Sequence, residues 1–113
     1  MLEYEQDITV VVEAGDLESA IRGMGSHRPD VLVLDLRMPN GSSSERIERL
    51  RGHSPRTAIV IITMQANEMF AELALKAGAI GFVLKDHADQ ELACAVRDAA
   101  RGVEYRSPHL RAP

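Results

Sequence analysis

Three chemically different side chains close three successive aliphatic runs of this sequence. Asp35 ends the run that begins at Val31, Thr63 ends the next run, and Lys85 ends the third. A carboxylate can attack phosphorus and form an acyl phosphate, while a hydroxyl and an ammonium can bind the phosphoryl oxygens. Phosphoryl transfer needs mainly such positioning and charge stabilisation. The three residue types therefore indicate a phosphoryl site, provided that they meet in space.

Short buried strands would bring these side chains together. Aliphatic runs of four to six residues bounded by turn signals predict strands covered on both faces. Runs with helical apolar spacing lie between them, and this alternation predicts βαβ units around one parallel sheet, an α/β fold. The carboxyl ends of parallel strands share one edge, where open α/β sheets bind ligands. The predicted strands are 7–14, 31–35, 58–63 and 80–85, and the predicted helices are 17–26, a helix from Ser42 or Ser43 to about 51, 67–77 and 89–100.

Composition narrows the class of protein. The chain has 113 residues, which suits one domain, and a net charge of −4, which argues against nucleic acid as its direct partner. No apolar run reaches the roughly 20 residues that a membrane helix needs, and no signal peptide precedes the first strand. A single cysteine, Cys94, excludes an internal disulfide and is typical of a reducing compartment.

Several remaining residues are interpreted as structural. The four histidines are scattered without metal-ligand spacing, which favours solvated side chains over a zinc site. Cys94 lies on an apolar helical stripe and is predicted to be packed. Met69, Phe70 and Leu73 are likewise predicted to be core residues. Residues 103–113 have no period and contain two prolines, so they are predicted to form a tail or the start of a linker.

The motifs together closely resemble the receiver domains of bacterial two-component response regulators. The resemblance rests on 31–39 (VLVLDLRMP), on Ile-Ile-Thr63 and on 81–85 (GFVLK), and it covers about residues 6–110. It implies a partial receiver domain at 1–110, with 111–113 as a tail or the start of a linker. The segment 100–108 is similar to the end of the receiver in regulators that carry a LuxR/NarL-type helix-turn-helix. The implied fold is the flavodoxin-like, doubly wound parallel sheet of receivers.

The resemblance implies a role for each site residue. Asp35 is the phosphoacceptor, and a sensor histidine kinase is the donor in a cytoplasmic phosphorelay. Thr63 is the switch hydroxyl, Lys85 pairs with the phosphate, and Phe82 is the switch aromatic. The backbone carbonyl of Arg37 and the carboxylate of Asp35 correspond to ligands of the family's Mg²⁺.

The sequence departs from the family pattern at its beginning. Receivers open with a strand that ends in an acidic pair, whereas the match here begins near the end of the first helix, as in an amino-terminally truncated receiver of about four strands and four helices. Without that pair, Mg²⁺ has Asp35, a carbonyl and water, which is a poor ligand set. The family's strand order is 2-1-3-4-5, so we expect the strand at Asp7 either to pair directly with the strand at Val31 or to leave open edges. Open edges favour a homodimer or domain-swapped association.

Two alternatives remain beside a phosphorylated signalling module. One is a non-phosphorylated pseudo-receiver or truncated fragment that acts only as a protein-interaction module, without the helix-turn-helix needed for DNA binding. The other is a haloacid dehalogenase-type phosphatase, which needs a second Asp two residues after its nucleophile. Arg37 occupies that place and cannot exchange a proton at neutral pH, so we expect that the chain is not an enzyme.

Overall fold

Five short parallel strands form one sheet in the part of the chain that the structure describes. The computed structural model describes residues 10–12, 30–35, 41–64 and 66–111, with the backbone alone at 10–12 and 41–43. The strands are β1 (Val10–Val12), β2 (Val31–Asp35), β3 (Ala58–Thr63), β4 (Gly81–Leu84) and β5 (Tyr105–Arg106). Their spatial order is β1-β2-β3-β4-β5, and each neighbouring pair is parallel. The parallel α/β architecture predicted from the alternation of strands and helices is confirmed.

Three α-helices cover this sheet within the described ranges. They are α1 (Gly41–His53), α2 (Glu68–Ala77) and α3 (Ala88–Ala100), and a 3₁₀ turn (Lys85–His87) leads from β4 into α3. None of these helices has the length and apolarity required to cross a membrane. The predicted helix 17–26 lies outside the described residues, and of the predicted strand 7–14 the structure describes Val10–Val12.

The core has two halves because successive strand residues point to opposite faces of the sheet. On the face that we call the α1/α2 face, alternate residues of β2, β3 and β4 pack against α1 and α2. On the opposite face, the α3 face, the intervening residues pack against α3. The α1/α2 cluster contains Leu32, Leu34, Ile47, Leu50, Ile59, Ile61, Ala71, Ala74, Ala79, Phe82 and Leu84; the α3 cluster contains Val31, Val33, Val60, Val83, Ala95, Val96 and Ala99.

The first strand of the sheet pairs directly with the strand that carries Asp35. Val10 lies opposite Val31, and Val12 lies opposite Val33. This arrangement is the first of the two alternatives expected when the family's opening strand is not part of the sequence. Within the described sheet, β1 has a neighbour on one side only, as does β5.

The segment that follows α3 is structured, so the prediction of a tail from residue 103 onward is wrong. Tyr105 N–H donates to the carbonyl of Ile80 (2.9 Å), and Ser107 N–H donates to the carbonyl of Phe82 (2.9 Å). Arg111 N–H donates to the carbonyl of Ala66 in the connection between β3 and α2 (2.6 Å), and Arg111 C=O accepts from the N–H of Glu68, the first residue of α2 (2.8 Å). A two-residue strand carries too little alternation to be seen as a pattern, which explains the error.

Side chains of this segment alternate between the two faces of the sheet. Arg106 extends to α2, where its guanidinium lies 3.0 Å from the carboxylate of Glu72. Tyr105 and Ser107 donate hydrogen bonds to Glu91 on α3, at 3.2 and 3.3 Å. The segment therefore contacts one helix on each side of the sheet.

Helix faces were predicted less well than strands. Met69 and Leu73, predicted as core, are 53% and 45% exposed, because α2 packs through the small residues Ala71 and Ala74 instead. Cys94 is exposed, whereas Glu91, one turn before it, is buried. The apolar stripe of a short helix defines the rotation of the helix about its axis only to within one or two residue positions. An error of that size is enough to place a surface residue in the core, or a core residue on the surface.

The turn between α2 and β4 depends on one glycine. Asn67 caps the start of α2 by accepting a hydrogen bond from Met69 N–H (2.7 Å), and Gly78 ends the helix at a φ of +125°. That conformation suits glycine, and it lets Ile80 N–H reach the carbonyl of Ile59 on β3 (2.8 Å). The turn thereby sets the start of the strand that leads to Lys85.

We expect Gly78→Ala to lower the free energy of unfolding by about 1–3 kcal/mol, because a side chain is strained at positive φ. The added Cβ would also lie 2.9 Å from Cγ of Arg51. Gly52→Ala is the matched control: nothing lies within 4 Å of its added Cβ, and alanine favours a helix by up to about 1 kcal/mol over glycine. Urea unfolding of both variants measures the difference, and equal stability of the two would contradict the assignment.

Candidate functional site

The carboxylate of Asp35 and the ammonium of Lys85 meet at the carboxyl edge of the sheet. Asp35 is the last residue of β2, and Lys85 directly follows β4, so the lysine reaches past the end of the intervening strand β3. The distance from Lys85 Nζ to Asp35 Oδ2 is 3.0 Å. The side chain of Asp35 is 20% exposed and that of Lys85 is 48% exposed. The pair is therefore accessible to a ligand while its carboxylate remains largely enclosed.

The second oxygen of Asp35 is in a different situation. Oδ1 is buried and has no hydrogen-bond partner among the residues that the structure describes. An ionised oxygen buried without a donor is unfavourable, so it is suited to a cation or to a donor brought by a ligand. Mg²⁺ is commonly held by one or two carboxylates with water and substrate phosphate completing its shell, and Asp35 Oδ1 fits one of those positions.

Thr63 at the end of β3 and Phe82 within β4 lie on the α1/α2 face. Thr63 is the last residue of β3 and is fully buried, and its position in the ladder is opposite Leu84. By the alternation of β3 it shares its face with Ile61. Phe82 is buried in the same cluster, and its ladder partner is Ile61. The hydroxyl and the aromatic ring thus share one side of the sheet, whereas Asp35 has the parity of Val33, which belongs to the α3 face.

The structure tests the predicted site residues unequally. It brings Asp35 and Lys85 into contact and ends β3 with Thr63 at the same edge. Phe82 lies two residues before the end of β4 and is buried in the core. Arg37, predicted to offer its carbonyl to Mg²⁺, lies outside the described residues, so its role stays a prediction.

A second polar cluster was missed by the sequence reasoning. His87, Glu91 and His109 offer ligand atoms that all lie within 4.8 Å of one another, which contradicts the prediction that the histidines are scattered. One signal was available, because His87 and Glu91 are four residues apart and therefore share a helix face. His109 could not have been added from spacing, since only the return of the segment after β5 brings it to α3.

The half-buried phenol of Tyr105 belongs to the surroundings of this cluster. Burial first, and the neighbouring Glu91 carboxylate second, raise the pKa of Tyr105 to about 12. The phenol therefore stays protonated at neutral pH and remains a donor to Glu91 Oε1.

Comparison with known proteins identifies the family. A family model described as the response regulator receiver domain matches residues 1–97. The oxygen regulatory protein NreC of Staphylococcus epidermidis is 40% identical over 106 residues, which are 93% of this chain and 49% of that protein. The transcriptional regulatory protein YxjL of Bacillus subtilis is 37% identical over 102 residues, which are 90% of this chain and 47% of that protein. The chain spans about half the length of the curated relatives it matches.

Solved structures agree with this. A LuxR-family two-component response regulator from Aurantimonas sp. superposes with a TM-score of 0.76 and 33% identity, covering 88% of this chain and 71% of that one. The apo receiver domain of RcsB from Salmonella enterica superposes with a TM-score of 0.71 and 26% identity, covering 83% of this chain and 69% of that one.

We expect a double-mutant cycle of Asp35→Asn and Lys85→Met to give a favourable coupling of about 0.2–1 kcal/mol, because both partners are partly solvated. The coupling should decrease with added salt, which screens accessible charges. Urea unfolding of the four proteins measures it.

Lys76→Met is the control, since Lys76 is the only other lysine in the sequence and is exposed on α2. Its cycle with Asp35→Asn should give no coupling. Equal coupling of both lysines to Asp35 would contradict a specific contact at Lys85.

Proposed function

Because this chain belongs to the response regulator receiver domain family, we propose that Asp35 accepts a phosphoryl group from a sensor histidine kinase. The observation that carries the proposal is the 3.0 Å contact between Lys85 Nζ and Asp35 Oδ2 at the mouth of a strand buried on both faces. The lysine holds a carboxylate at an accessible sheet edge, next to the position where the phosphoryl oxygens would lie.

The transfer requires one bond to form and one to break. An Asp35 oxygen bonds to phosphorus as the N–P bond of the kinase's phosphohistidine breaks, and the imidazole leaves with the bonding electrons and takes up a proton. Asp35 Oδ2 is the oxygen that we assign to phosphorus, because Lys85 can then move from it to a phosphoryl oxygen without leaving the site. The new phosphoryl group keeps negative charge beside the ammonium.

Asp35 Oδ1 is the oxygen that we assign to Mg²⁺. It is buried and lacks a described partner, so a cation there would complete its interactions. When bound, the ion would supply charge neutralisation for the phosphoryl oxygens. Because such Mg²⁺ sites are completed by water and substrate phosphate, we propose phosphate-assisted Mg²⁺ binding.

Thr63 and Phe82 provide a route from the site to the surface. A phosphoryl oxygen that draws the Thr63 hydroxyl toward the sheet edge would open space on the α1/α2 face, where Phe82 packs. The carbonyl of Phe82 accepts the hydrogen bond of Ser107 N–H, so a movement of Phe82 extends to the segment that contacts both α2 and α3. We propose that phosphorylation shifts the population between two packings of this region and so changes partner binding at α2 and α3.

The biological setting follows from the relatives. The curated relatives include transcriptional regulators about twice as long as the chain, and the structures include LuxR-family regulators. A cytoplasmic phosphorelay that ends in transcriptional control is therefore the proposed pathway, with DNA contacts made by a separate domain. Sensor histidine kinases are the proposed partners, and a homodimer through the sheet edges stays a prediction.

The second candidate is a pseudo-receiver that binds partners without being phosphorylated. It is favoured by one observation, an exposed apolar surface on α2 that does not involve Asp35. The exposed apolar side chains of Met69 and Leu73 on α2 would serve such a module equally well.

We expect a small phosphodonor with Mg²⁺ to add one phosphate to the protein, detected as intact mass, and Asp35→Asn to abolish the adduct. Asp30→Asn is the matched control, since Asp30 precedes the same strand at its opposite end and is exposed. We also expect Lys85→Met to slow the reaction on the order of 10²-fold, as for loss of one stabilising charge, and Lys76→Met to leave it unchanged. A folded wild-type protein without any adduct would favour the pseudo-receiver.

The two lysines also allow a direct view of the site. After ¹³C-methylation of its lysines, the protein should show two side-chain lysine signals by NMR, and beryllofluoride with Mg²⁺ should shift the signal of Lys85 but not that of Lys76. The reason is that beryllofluoride imitates a phosphoryl group on Asp35, within reach of Lys85 alone. Equal shifts of both signals, or none, would contradict the proposed pairing.

A further inference from the structure

A second polar cluster joins the beginning of α3 to the segment after β5. His87 is the N-cap residue of α3, Glu91 lies one turn later, and His109 follows the last strand. His109 Nε2 lies 3.5 Å from Glu91 Oε2, and the rings of His87 and His109 stack with centroids 3.8 Å apart and planes 12° apart. Three potential metal ligands from two distant parts of the chain thus lie within 4.8 Å of one another.

The carboxylate of Glu91 is the unusual member of this group. It is buried, yet its donors are two neutral hydroxyls, Tyr105 at 3.2 Å and Ser107 at 3.3 Å. Its ion-pairing partner within the described part of the chain is the imidazole of His109 rather than a lysine or an arginine. A buried carboxylate with so little positive charge beside it is stabilised by a cation, and the two hydroxyl bonds would hold it in place as a ligand.

The surroundings of the two histidines permit access. The side chain of His109 is 47% exposed, and His87 is half-buried, so an ion can enter from solvent and either ring can rotate. Ser107 Oγ also accepts the backbone N–H of His109 (3.2 Å), which orders the turn that presents the ring. The cluster therefore combines one fixed ligand with two adjustable ones.

We propose that His87, Glu91 and His109 form a binding site for a divalent transition metal of the zinc class. Two imidazoles and one carboxylate are a ligand set that suits Zn²⁺ with water in the fourth position, whereas Mg²⁺ and Ca²⁺ prefer oxygen ligands alone. The site is separate from the phosphoryl site, and its occupancy does not depend on Asp35.

Binding requires a local rearrangement that can be observed. A metal bonds to a ring nitrogen in the plane of the ring, so two face-to-face imidazoles cannot both bind one ion. In a tetrahedral site with bonds of about 2.0–2.1 Å, the ligand atoms lie about 3.4 Å apart, so the present separations of up to 4.8 Å must shrink by up to about 1.4 Å. We infer that one ring rotates and that the stack separates when the ion binds.

The ion would link two parts of the chain that are otherwise joined by hydrogen bonds. His87 and Glu91 lie at the beginning of α3, which starts three residues after Lys85, and His109 belongs to the segment that pairs with β4. Bound metal should therefore hold that segment against α3. Because it binds only the folded arrangement, it should also raise the thermal midpoint of unfolding.

The test is Zn²⁺ binding by the full 113-residue chain, measured by competition with a chromogenic zinc chelator. We expect one equivalent to bind, and His87→Ala, His109→Ala and Glu91→Gln each to weaken binding at least about 10-fold. His53→Ala is the matched control, an exposed histidine at the end of α1, and should bind as the wild type does. Cys94→Ser should also bind normally, which separates this site from adventitious binding at the exposed thiol.

A second readout does not depend on affinity. In a protein labelled at the histidine ring carbons, Zn²⁺ should shift the signals of His87 and His109 and leave those of the other two histidines in place. Asp35→Asn should bind Zn²⁺ as the wild type does, so failure of the phosphoryl proposal leaves this one intact. Wild-type protein that binds no Zn²⁺, binding unaffected by His87→Ala and His109→Ala, or binding lost only in Cys94→Ser would overturn the proposal, and the histidine variants decide it even if Glu91→Gln does not fold.

Discussion

The burial of three adjacent strands on both faces is the constraint on which the rest of the molecule depends. Because β2, β3 and β4 are enclosed by helices on either side, polar side chains can reach solvent only at the strand ends. The order of the strands in the sheet then determines which strand ends are neighbours. A four-carbon lysine side chain is long enough to pass the end of β3 and reach Asp35, and this contact explains why the charges of two non-adjacent strands meet. The site is thus positioned by the sheet, since Asp35 ends β2 and Lys85 is the first residue of the turn that follows β4.

The parts of the fold that could be predicted are those marked by a regular pattern of apolar residues. Aliphatic runs identified β2, β3 and β4, and the residue types at their ends identified Asp35, Thr63 and Lys85. What could not be predicted depends on small or single features. The rotation of α2 follows from Ala71 and Ala74, which carry little hydrophobic signal, so Met69 and Leu73 were placed inside when they lie outside. β5 has two residues, too few for a period.

Contacts between residues that are far apart in the sequence also could not be predicted. The fully buried Thr63 was identified by type, but its placement on the face of Phe82 follows only from the observed register. Glu91 has no feature in the sequence that marks it as buried, because the hydroxyls that satisfy it come from residues more than ten positions later. The same return of the chain brings His109 to His87, a pairing that no local spacing encodes.

The alternation of side chains along β5 has a mechanical consequence. This strand runs parallel to β4. A pulling force on the carboxyl end of β5 therefore acts along the strand, and the hydrogen bonds between β4 and β5 resist it together rather than opening one after another. Arg106 transmits part of that load to α2, and Tyr105 and Ser107 transmit part to α3. The strand therefore couples the two helices mechanically. Tension on β5 pulls α2 and α3 together, and a displacement of either helix is transmitted back to the strand.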